Sequence, residues 1–181
     1  MKRLLLIPGF GETTRDHPYQ KLMTLLKADY EIEVYNPKWR YGKASKWIRA
    51  LETKLPEGED PDTTIVAFSL GAFIALNLAS KHAFRKVLLC SVSPLFAPQL
   101  HHLPQTARTI LGKRRVQDFG KYSIPKHTLS KLVFLFGDKD WNIAIKEANS
   151  IAGILNSKFV IVKDTAHELT DNYIKEILKT L

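Results

Sequence analysis

The sequence predicts an α/β fold in which a six-stranded, mostly parallel sheet is doubly wound, with helices on both of its faces. Six short runs of the chain are almost continuously apolar and rich in leucine or β-branched residues, which is typical of strands buried on both faces. Helical patterns alternate with these runs. The chain has 181 residues, 45% of them hydrophobic, which is enough for one sizeable core and too little for two ordinary domains. We therefore expect a single domain over residues 1–181.

The individual elements follow from where each apolar or helical pattern begins and ends. The first strand stops at Pro8-Gly9. The second helix stops at Pro56, because proline lacks the N–H that a helix interior needs. The acidic stretch Glu57–Asp62 is predicted as a polar turn. In chain order, the six strands are Lys2–Ile7, Tyr30–Tyr35, Thr63–Phe68, Lys86–Cys90, Leu132–Phe136 and Phe159–Val162. The helices lie near Pro18–Ala28 and over Ala44–Leu55, Leu70–His82, Gln105–Leu111, Ile143–Leu155 and Leu169–Leu178.

One long stretch, between Ser91 and Ser130, interrupts the alternation of strands and helices. It has only one plausible helix, around Gln105–Leu111, and four prolines: Pro94, Pro98, Pro104 and Pro125. A connection of this length in a compact domain is usually functional or an added cap. We call residues 93–130 the cap segment and expect it to form a small cap or a cleft wall.

The net charge of +9, from 27 basic and 18 acidic residues, raises the question of nucleic-acid binding. The sequence has no zinc-ligand spacing, no aromatic motif of an RNA-binding sheet and no helix-turn-helix pattern. We interpret the charge as general basicity and expect a small-molecule partner without specific nucleic-acid binding.

Cysteine use and hydropathy bear on compartment and cofactors. Cys90 is the only cysteine, which excludes an internal disulfide and favours a reducing, cytoplasmic location. No apolar run reaches the roughly 20 residues that span a membrane, and the apolar start is shorter than the roughly 7–15 residues of a signal peptide. The pair His101-His102 lacks a third ligand at a useful spacing, so we expect no metal.

The hexapeptide AFSLGA places Ser69 between the end of a predicted strand and the start of a predicted helix. Small residues flank it at both second neighbours, Ala67 and Gly71, as a sharp strand-to-helix turn carrying a nucleophile requires. The N–H groups at the start of the helix would face any negative charge that develops beside the hydroxyl. Taken alone, the hexapeptide is equally compatible with a serine that caps the helix.

A serine nucleophile needs a histidine base, and the base needs an acid that orients it. Asp138 and Asp140 follow the fifth predicted strand, and His167 follows the sixth. These are carboxyl ends of strands, where sites form in a doubly wound sheet, and the order serine, aspartate, histidine suits this fold. Either aspartate could reach the imidazole.

Four segments together resemble the α/β-hydrolase superfamily over nearly the whole chain. AFSLGA resembles its G-x-S-x-G turn with Ala67 for the first glycine, and LLLIPGFGE resembles its opening strand and H-G-x-G loop with Pro8 for the histidine. LFGDKD and DTAHEL resemble its acid and histidine segments. The length and the PGFG opening are similar to the retinoblastoma-binding-protein-like serine hydrolases. The resemblance implies a reduced six-stranded form of the family fold.

The resemblance also implies roles for residues. Ser69 would be the nucleophile, His167 the base and Asp140, rather than Asp138, the acid. The backbone N–H groups of Phe10 and Leu70 would form the oxyanion hole. No metal or organic cofactor is implied.

The expected activity is that of a serine hydrolase which cleaves a carboxylic ester or thioester through an acyl-enzyme. Because the same scaffold hosts other functions, a catalytically idle binding protein and an acyltransferase are the alternatives. A basic nucleic-acid-associated protein with incidental hydrolase ancestry is a further one.

The cap segment and Lys131 after it carry one acid, Asp118, and seven basic residues: Arg108, Lys113, Arg114, Arg115, Lys121, Lys126 and Lys131. These charges could form a solvated face, or they could lie over the cleft and favour anionic acyl substrates. In the second interpretation the apolar residues Leu95, Phe96, Leu100, Leu103, Ile110 and Leu111 would line the acyl pocket.

Overall fold

The computed structural model describes residues 2–55 and 60–181 of the chain. Its centre is a six-stranded sheet with strand order β2-β1-β3-β4-β5-β6, in which every pairing is parallel. The strands are β1 (Lys2–Ile7), β2 (Tyr30–Val34), β3 (Asp60–Phe68), β4 (Phe84–Cys90), β5 (Leu132–Gly137) and β6 (Lys158–Val162). The predicted fold class, a doubly wound parallel sheet, is confirmed.

Seven α-helices accompany the sheet in the described residues. They are α1 (His17–Leu26), α2 (Ala44–Glu52), α3 (Leu70–Ala79), α4 (Gln105–Leu111), α5 (Lys113–Phe119), α6 (Asn142–Ile154) and α7 (Asp171–Thr180). A 3-10 helix, Ala97–His102, precedes α4.

Alternation along the strands divides the core into two layers. Leu5 and Ile7 of β1 face the layer that also contains α2, α3 and α6. Leu4 and Leu6 face the opposite layer, which contains α1 and α7. Helices therefore cover both faces, as side chains that alternate across a strand require.

Several element boundaries differ from the sequence-based prediction. β3 begins at Asp60, so the last part of the predicted polar turn is strand, with a register irregularity between Asp60 and Thr64. The helix stop at Pro56 and residues 57–59 of that turn lie outside the described residues. The expectation of a single helix in the cap segment was wrong, because the 3-10 helix and α5 also form there.

The cap segment packs closely on the body of the fold. Phe96 and Phe119 are fully buried and pack against Phe73 of α3, the first ring tilted and the second edge-to-face, at ring-centroid distances of 4.9 and 5.2 Å. Asp118 of α5 accepts hydrogen bonds from the backbone N–H of Ser45 at 2.8 Å and from its hydroxyl at 3.1 Å. The sheet and α2 cover the rest of α3, so every residue of this helix is buried.

The parallel sheet brings several loops together at its carboxyl end. Ser69 follows β3, Asp140 follows β5, and His167 follows β6. Within the described residues, no helix has both the length and the apolar character that crossing a membrane would need.

Candidate active site

Ser69 occupies a sharp turn between β3 and α3. Its backbone has φ 52° and ψ −116°, a conformation that costs a residue other than glycine on the order of 1–3 kcal/mol. A Cβ on Gly71 would lie 2.7 Å from the carbonyl oxygen of Ile7, so the helix can approach β1 only with glycine there. The Ser69 side chain makes no capping hydrogen bond to α3. Its hydroxyl is directed elsewhere.

That hydroxyl contacts the imidazole of His167. His167 Nε2 lies 2.8 Å from Ser69 Oγ. On the other side of the ring, Nδ1 lies 3.0 and 3.1 Å from the two carboxyl oxygens of Asp140. A carboxylate only accepts hydrogen bonds, so Nδ1 carries the proton and Nε2 is free to accept the one on the serine. The three side chains form a continuous hydrogen-bonded chain.

Asp140 is held in one orientation by its surroundings. Its side chain is fully buried, and its Oδ1 accepts the Trp141 backbone N–H at 2.7 Å. Burial raises the pKa of this carboxyl, but the hydrogen bonds from His167 and Trp141 and the attraction of the imidazole outweigh it, so the pKa of Asp140 lies below the usual value. The Trp141 ring stacks on the imidazole, at 5.3 Å between centroids and 7° between planes. The carboxylate is therefore ionised and rigidly placed.

The sequence left Asp138 and Asp140 as alternative partners of His167. The structure pairs the histidine with Asp140, whereas Asp138 accepts the backbone N–H of Thr165 at 3.1 Å. This hydrogen bond is the main reason why the pKa of Asp138 is lowered. Asp138 thus helps to fix the loop that carries His167. Gly137 lets the same loop approach β5, because a Cβ there would meet the Thr165 carbonyl.

The two predicted oxyanion-hole residues, Phe10 and Leu70, border the same cavity as Ser69 and His167. Among the hydrogen bonds of the described residues, none uses the backbone N–H of either one. The loop of Phe10 is fixed by Glu12, whose Oε2 accepts the Gly9 N–H at 2.9 Å and the Tyr19 hydroxyl at 2.5 Å. The N–H groups of Phe10 and Leu70 therefore have no hydrogen-bond partner among the described residues.

The cavity next to Ser69 has a volume of about 170 Å³ and is mainly apolar. The cap segment supplies most of one wall, and the start of α6 supplies another. Its apolar lining includes Phe10, Leu95, Leu103, Ile110, Leu111 and Ala144. Of the six apolar residues predicted to line it, Phe96 and Leu100 do not border the cavity and pack into the core instead.

The cavity also has polar side chains that the sequence gave no reason to select: Ser93, Gln99, His102 and Glu147. Ser93 Oγ lies 3.3 Å from Ser69 Oγ. His102 Nε2 lies 3.6 Å from Glu147 Oε1. Ser93 lies in an irregular loop, and Gln99 and His102 lie in a short 3-10 helix, where no periodicity indicates which side chains face inward. Glu147 lies on α6, and the sequence does not show that the cap segment packs beside that helix.

None of the seven basic residues in and beside the cap segment borders the cavity. Arg115 instead donates to the carbonyl oxygens of Gly42 and Trp39, each at 3.0 Å. Arg108 donates to the carbonyl oxygens of Leu100 at 2.7 Å and Leu103 at 3.1 Å. This placement favours the interpretation of a structural and solvated basic face. In the described part of the chain, no group of three or more His, Cys, Asp or Glu side chains is arranged to hold a metal ion.

Comparisons with known proteins show the family and the fold of the chain. A family model described as serine hydrolase matches residues 4–175. No curated protein sequence matches the chain significantly. Alpha/beta hydrolase domain-containing protein 10 from mouse has a similar structure, with a TM-score of 0.78 and 14% identity over 98% of this chain and 87% of that chain.

Two further solved structures are similar over nearly the whole chain. The ydeN gene product of B. subtilis has a TM-score of 0.72 and 16% identity, over 99% of this chain and 98% of that chain. The Paleococcus ferrophilus monoacylglycerol lipase has a TM-score of 0.70 and 13% identity, over 98% of this chain and 93% of that chain. At such identities the likeness shows the fold, which is the α/β-hydrolase fold.

Proposed function

The chain belongs to the serine hydrolase family, and from this membership we propose that it cleaves carboxylic esters through an acyl-enzyme formed on Ser69. The observation that carries the proposal is the hydrogen-bonded chain from Ser69 through His167 to Asp140, with distances of 2.8 and 3.0 Å. An apolar cavity beside the serine gives an acyl group a place to bind.

In the acylation step, Ser69 Oγ attacks the carbonyl carbon of the ester while its proton moves to His167 Nε2. The carbonyl electron pair moves to oxygen, and the backbone N–H groups of Phe10 and Leu70 donate hydrogen bonds to that oxyanion. Each such donor typically contributes about 3–4 kcal/mol to the transition state. Asp140 stabilises the imidazolium and holds its tautomer. The intermediate collapses, the bond to the alcohol oxygen breaks, and His167 returns the proton to the leaving alcohol.

Deacylation repeats the same steps with water as the nucleophile. His167 takes a proton from the water as its oxygen attacks the acyl carbon. Collapse of the second intermediate breaks the bond to Ser69 Oγ, which regains a proton from His167, and the free acid leaves. One water is consumed, and one ester gives one alcohol and one acid.

The experiment that tests this proposal is labelling by a fluorophosphonate probe together with turnover of p-nitrophenyl esters of increasing acyl length. We expect Ser69 to be labelled, and we expect Ser69→Ala to lose labelling and at least about a thousandfold in turnover, since removal of a triad member usually costs more than that. Ser150→Ala is the matched control, because it removes a serine hydroxyl from an exposed position of α6 that does not border the cavity, and it should keep both readouts.

Other outcomes identify the alternative functions. Absence of labelling and turnover in the natural protein would indicate an idle binding scaffold. Transfer of the acyl group to an added alcohol in preference to water would indicate an acyltransferase. A thioester cleaved faster than the matched ester would move the substrate class to thioesters.

A further inference from the structure

Trp141 is a large aromatic residue that the core does not enclose. It is 58% exposed, although it directly follows the buried Asp140 and borders the cavity beside Ser69. Its backbone N–H donates to Asp140 Oδ1 at 2.7 Å, which any residue except proline could do. The orientation of the aspartate therefore does not explain why an indole ring occupies this position.

The indole ring lies parallel to the imidazole of His167. The ring centroids are 5.3 Å apart and the planes are inclined by only 7°, which is the geometry of an offset stack. The ring of Phe68 also contacts the imidazole, at 5.4 Å between centroids and a tilt of 54°. Phe68 is buried and packs on Tyr173 as part of the core, whereas the mostly exposed ring of Trp141 is placed by its contact with the imidazole.

The face of the indole responds to the charge of the imidazole. A cation within about 6 Å of an indole centroid is attracted to the negative face of the ring, whereas a neutral imidazole lacks this attraction. In the proposed acylation step the proton of Ser69 moves to His167 Nε2, and the imidazole becomes an imidazolium. An interaction that strengthens as the transition state forms lowers the barrier. Trp141 itself gains and loses no atom or electron pair.

We propose that Trp141 is a positioning residue, whose ring limits the tilt of the His167 imidazole and stabilises the imidazolium formed when Ser69 gives up its proton. The inference deepens the proposed function and rests on it, since the imidazolium forms during ester cleavage. Asp140 acts on the edge of the imidazole through Nδ1, and the indole acts on its face, so the two restrict different motions of the ring.

Replacement of Trp141 by phenylalanine and by leucine separates the aromatic face from simple coverage. Phenylalanine keeps an aromatic face, leucine keeps an apolar cover without one, and both keep the backbone N–H that Asp140 accepts. The pH titration of the His167 ring is followed by NMR in the free protein, with its signal identified by its loss in His167→Gln. We expect the midpoint of this titration to fall by about 0.4–0.7 pH unit in Trp141→Leu and by less in Trp141→Phe, the shift that corresponds to losing one exposed cation–π contact.

The other ionisable groups near the imidazole stay the same in these variants. Asp140 contacts Nδ1 of the ring, and Glu168 is the next residue of the chain. His102 and Glu147 border the same cavity. The difference between the leucine and phenylalanine variants therefore reports the ring at position 141.

Turnover of p-nitrophenyl acetate gives a second readout. We expect kcat to fall by about two- to fivefold in Trp141→Leu, since the imidazolium forms in both acylation and deacylation. KM should change by less than about twofold, because the ring acts through His167 and not on the ester. Tyr41→Leu is the matched control, since Tyr41 is an aromatic residue that is 66% exposed and does not border the cavity, and it should leave the midpoint, kcat and KM unchanged.

Three results would overturn the proposal: a midpoint in Trp141→Leu equal to that of the natural protein, equal shifts for leucine and phenylalanine, or a higher KM with an unchanged kcat. The last is what a ring that only binds substrate would give. Because the ring is mostly exposed, we expect both variants to fold, which urea unfolding checks. A midpoint that shifts as expected in a protein that cleaves no ester would contradict the proposed function alone, and ester turnover with an unshifted midpoint would contradict this inference alone.

Discussion

Asp138 and Asp140 are separated by one residue, yet their environments give them different tasks. Asp140 is buried against His167, whereas Asp138 is exposed and holds the Thr165 N–H. We expect Asp140→Asn to lower kcat by about 10⁴, because an asparagine amide favours the wrong imidazole tautomer, an effect known from a serine protease. Asp138→Asn should cost about tenfold or less, because it weakens one backbone hydrogen bond.

Steady-state kinetics on one p-nitrophenyl ester measures both variants of this pair. Circular dichroism and urea unfolding check that each variant keeps the native fold. Equal losses, or a greater loss in Asp138→Asn, would move the acid role away from Asp140.

The three residues of the hydrogen-bonded chain were accessible from the sequence because each follows a strand. The carboxyl ends of parallel strands meet at one edge of a sheet, so strand assignment placed Ser69, His167 and one of two aspartates together, and the preference for Asp140 came from the family resemblance. Which of the two aspartates reaches the imidazole depends on the path of a short loop. That path is set by contacts such as the close approach of Gly137 to the Thr165 carbonyl, which no local pattern reveals.

At the scale of elements, helix α5 shows why the cap segment was only partly predictable. Its sequence, KRRVQDF, is mostly polar and has only two apolar positions, so it gives a weak helical pattern. Its stability comes from distant partners, since Phe119 packs on Phe73 and Asp118 bonds to Ser45. The long apolar strands carry their own signal and were assigned to within a few residues.

Asp118 joins α5 to the N-terminus of α2, which has no capping side chain of its own. Burial raises the pKa of its carboxyl, but the hydrogen bonds from Ser45 and the charges of Lys43 and Lys121 outweigh it, so the pKa of Asp118 lies below the usual value. A carboxyl of this kind contributes stability above its unfolded-state pKa of about 3.9, and the contribution is lost as pH falls through the lower folded-state pKa.

We therefore expect Asp118→Asn to lower the free energy of unfolding by about 1–3 kcal/mol at pH 7, because a neutral amide replaces the charged carboxylate that accepts both hydrogen bonds from Ser45. The difference from the natural protein should be smaller at about pH 3, below the unfolded-state pKa of about 3.9, because the unfolded chain then binds a proton that the folded carboxyl disfavours. Urea unfolding at both pH values measures it. Ser45→Ala should lower the free energy of unfolding by part of the same amount. If the difference between Asp118→Asn and the natural protein grew at low pH, the pKa of Asp118 would not be lowered by folding.

At the scale of the whole molecule, the net charge of +9 is not concentrated at the cavity. In the cap segment, Arg108 and Arg115 satisfy backbone carbonyls, and Lys121 lies 3.5 Å from the buried Asp118. The guanidinium of Arg115 also lies 5.6 Å from the Phe10 ring. These three basic side chains therefore stabilise the packing of the cap segment on the fold. The positive charges of the protein can still attract anions at long range.

The last prediction concerns anionic substrates. We expect the p-nitrophenyl monoester of adipic acid to have a lower kcat/KM than p-nitrophenyl hexanoate, because its carboxylate would leave water for an apolar lining without lysine or arginine. The difference in kcat/KM between the two esters should be smaller at low salt, because the positive charges of the protein then attract the anionic ester with less screening. At 0.1 M salt this attraction is screened over roughly 10 Å. Replacing Lys113 and Arg114 by glutamine should change the ratio by less than about twofold, as exposed charges away from the cavity act only at long range. Arg115 is left intact, because its loss would free the carbonyls of Gly42 and Trp39. An anionic ester that is preferred at low salt, with a preference that the double change removes, would show instead that these charges act on the cleft.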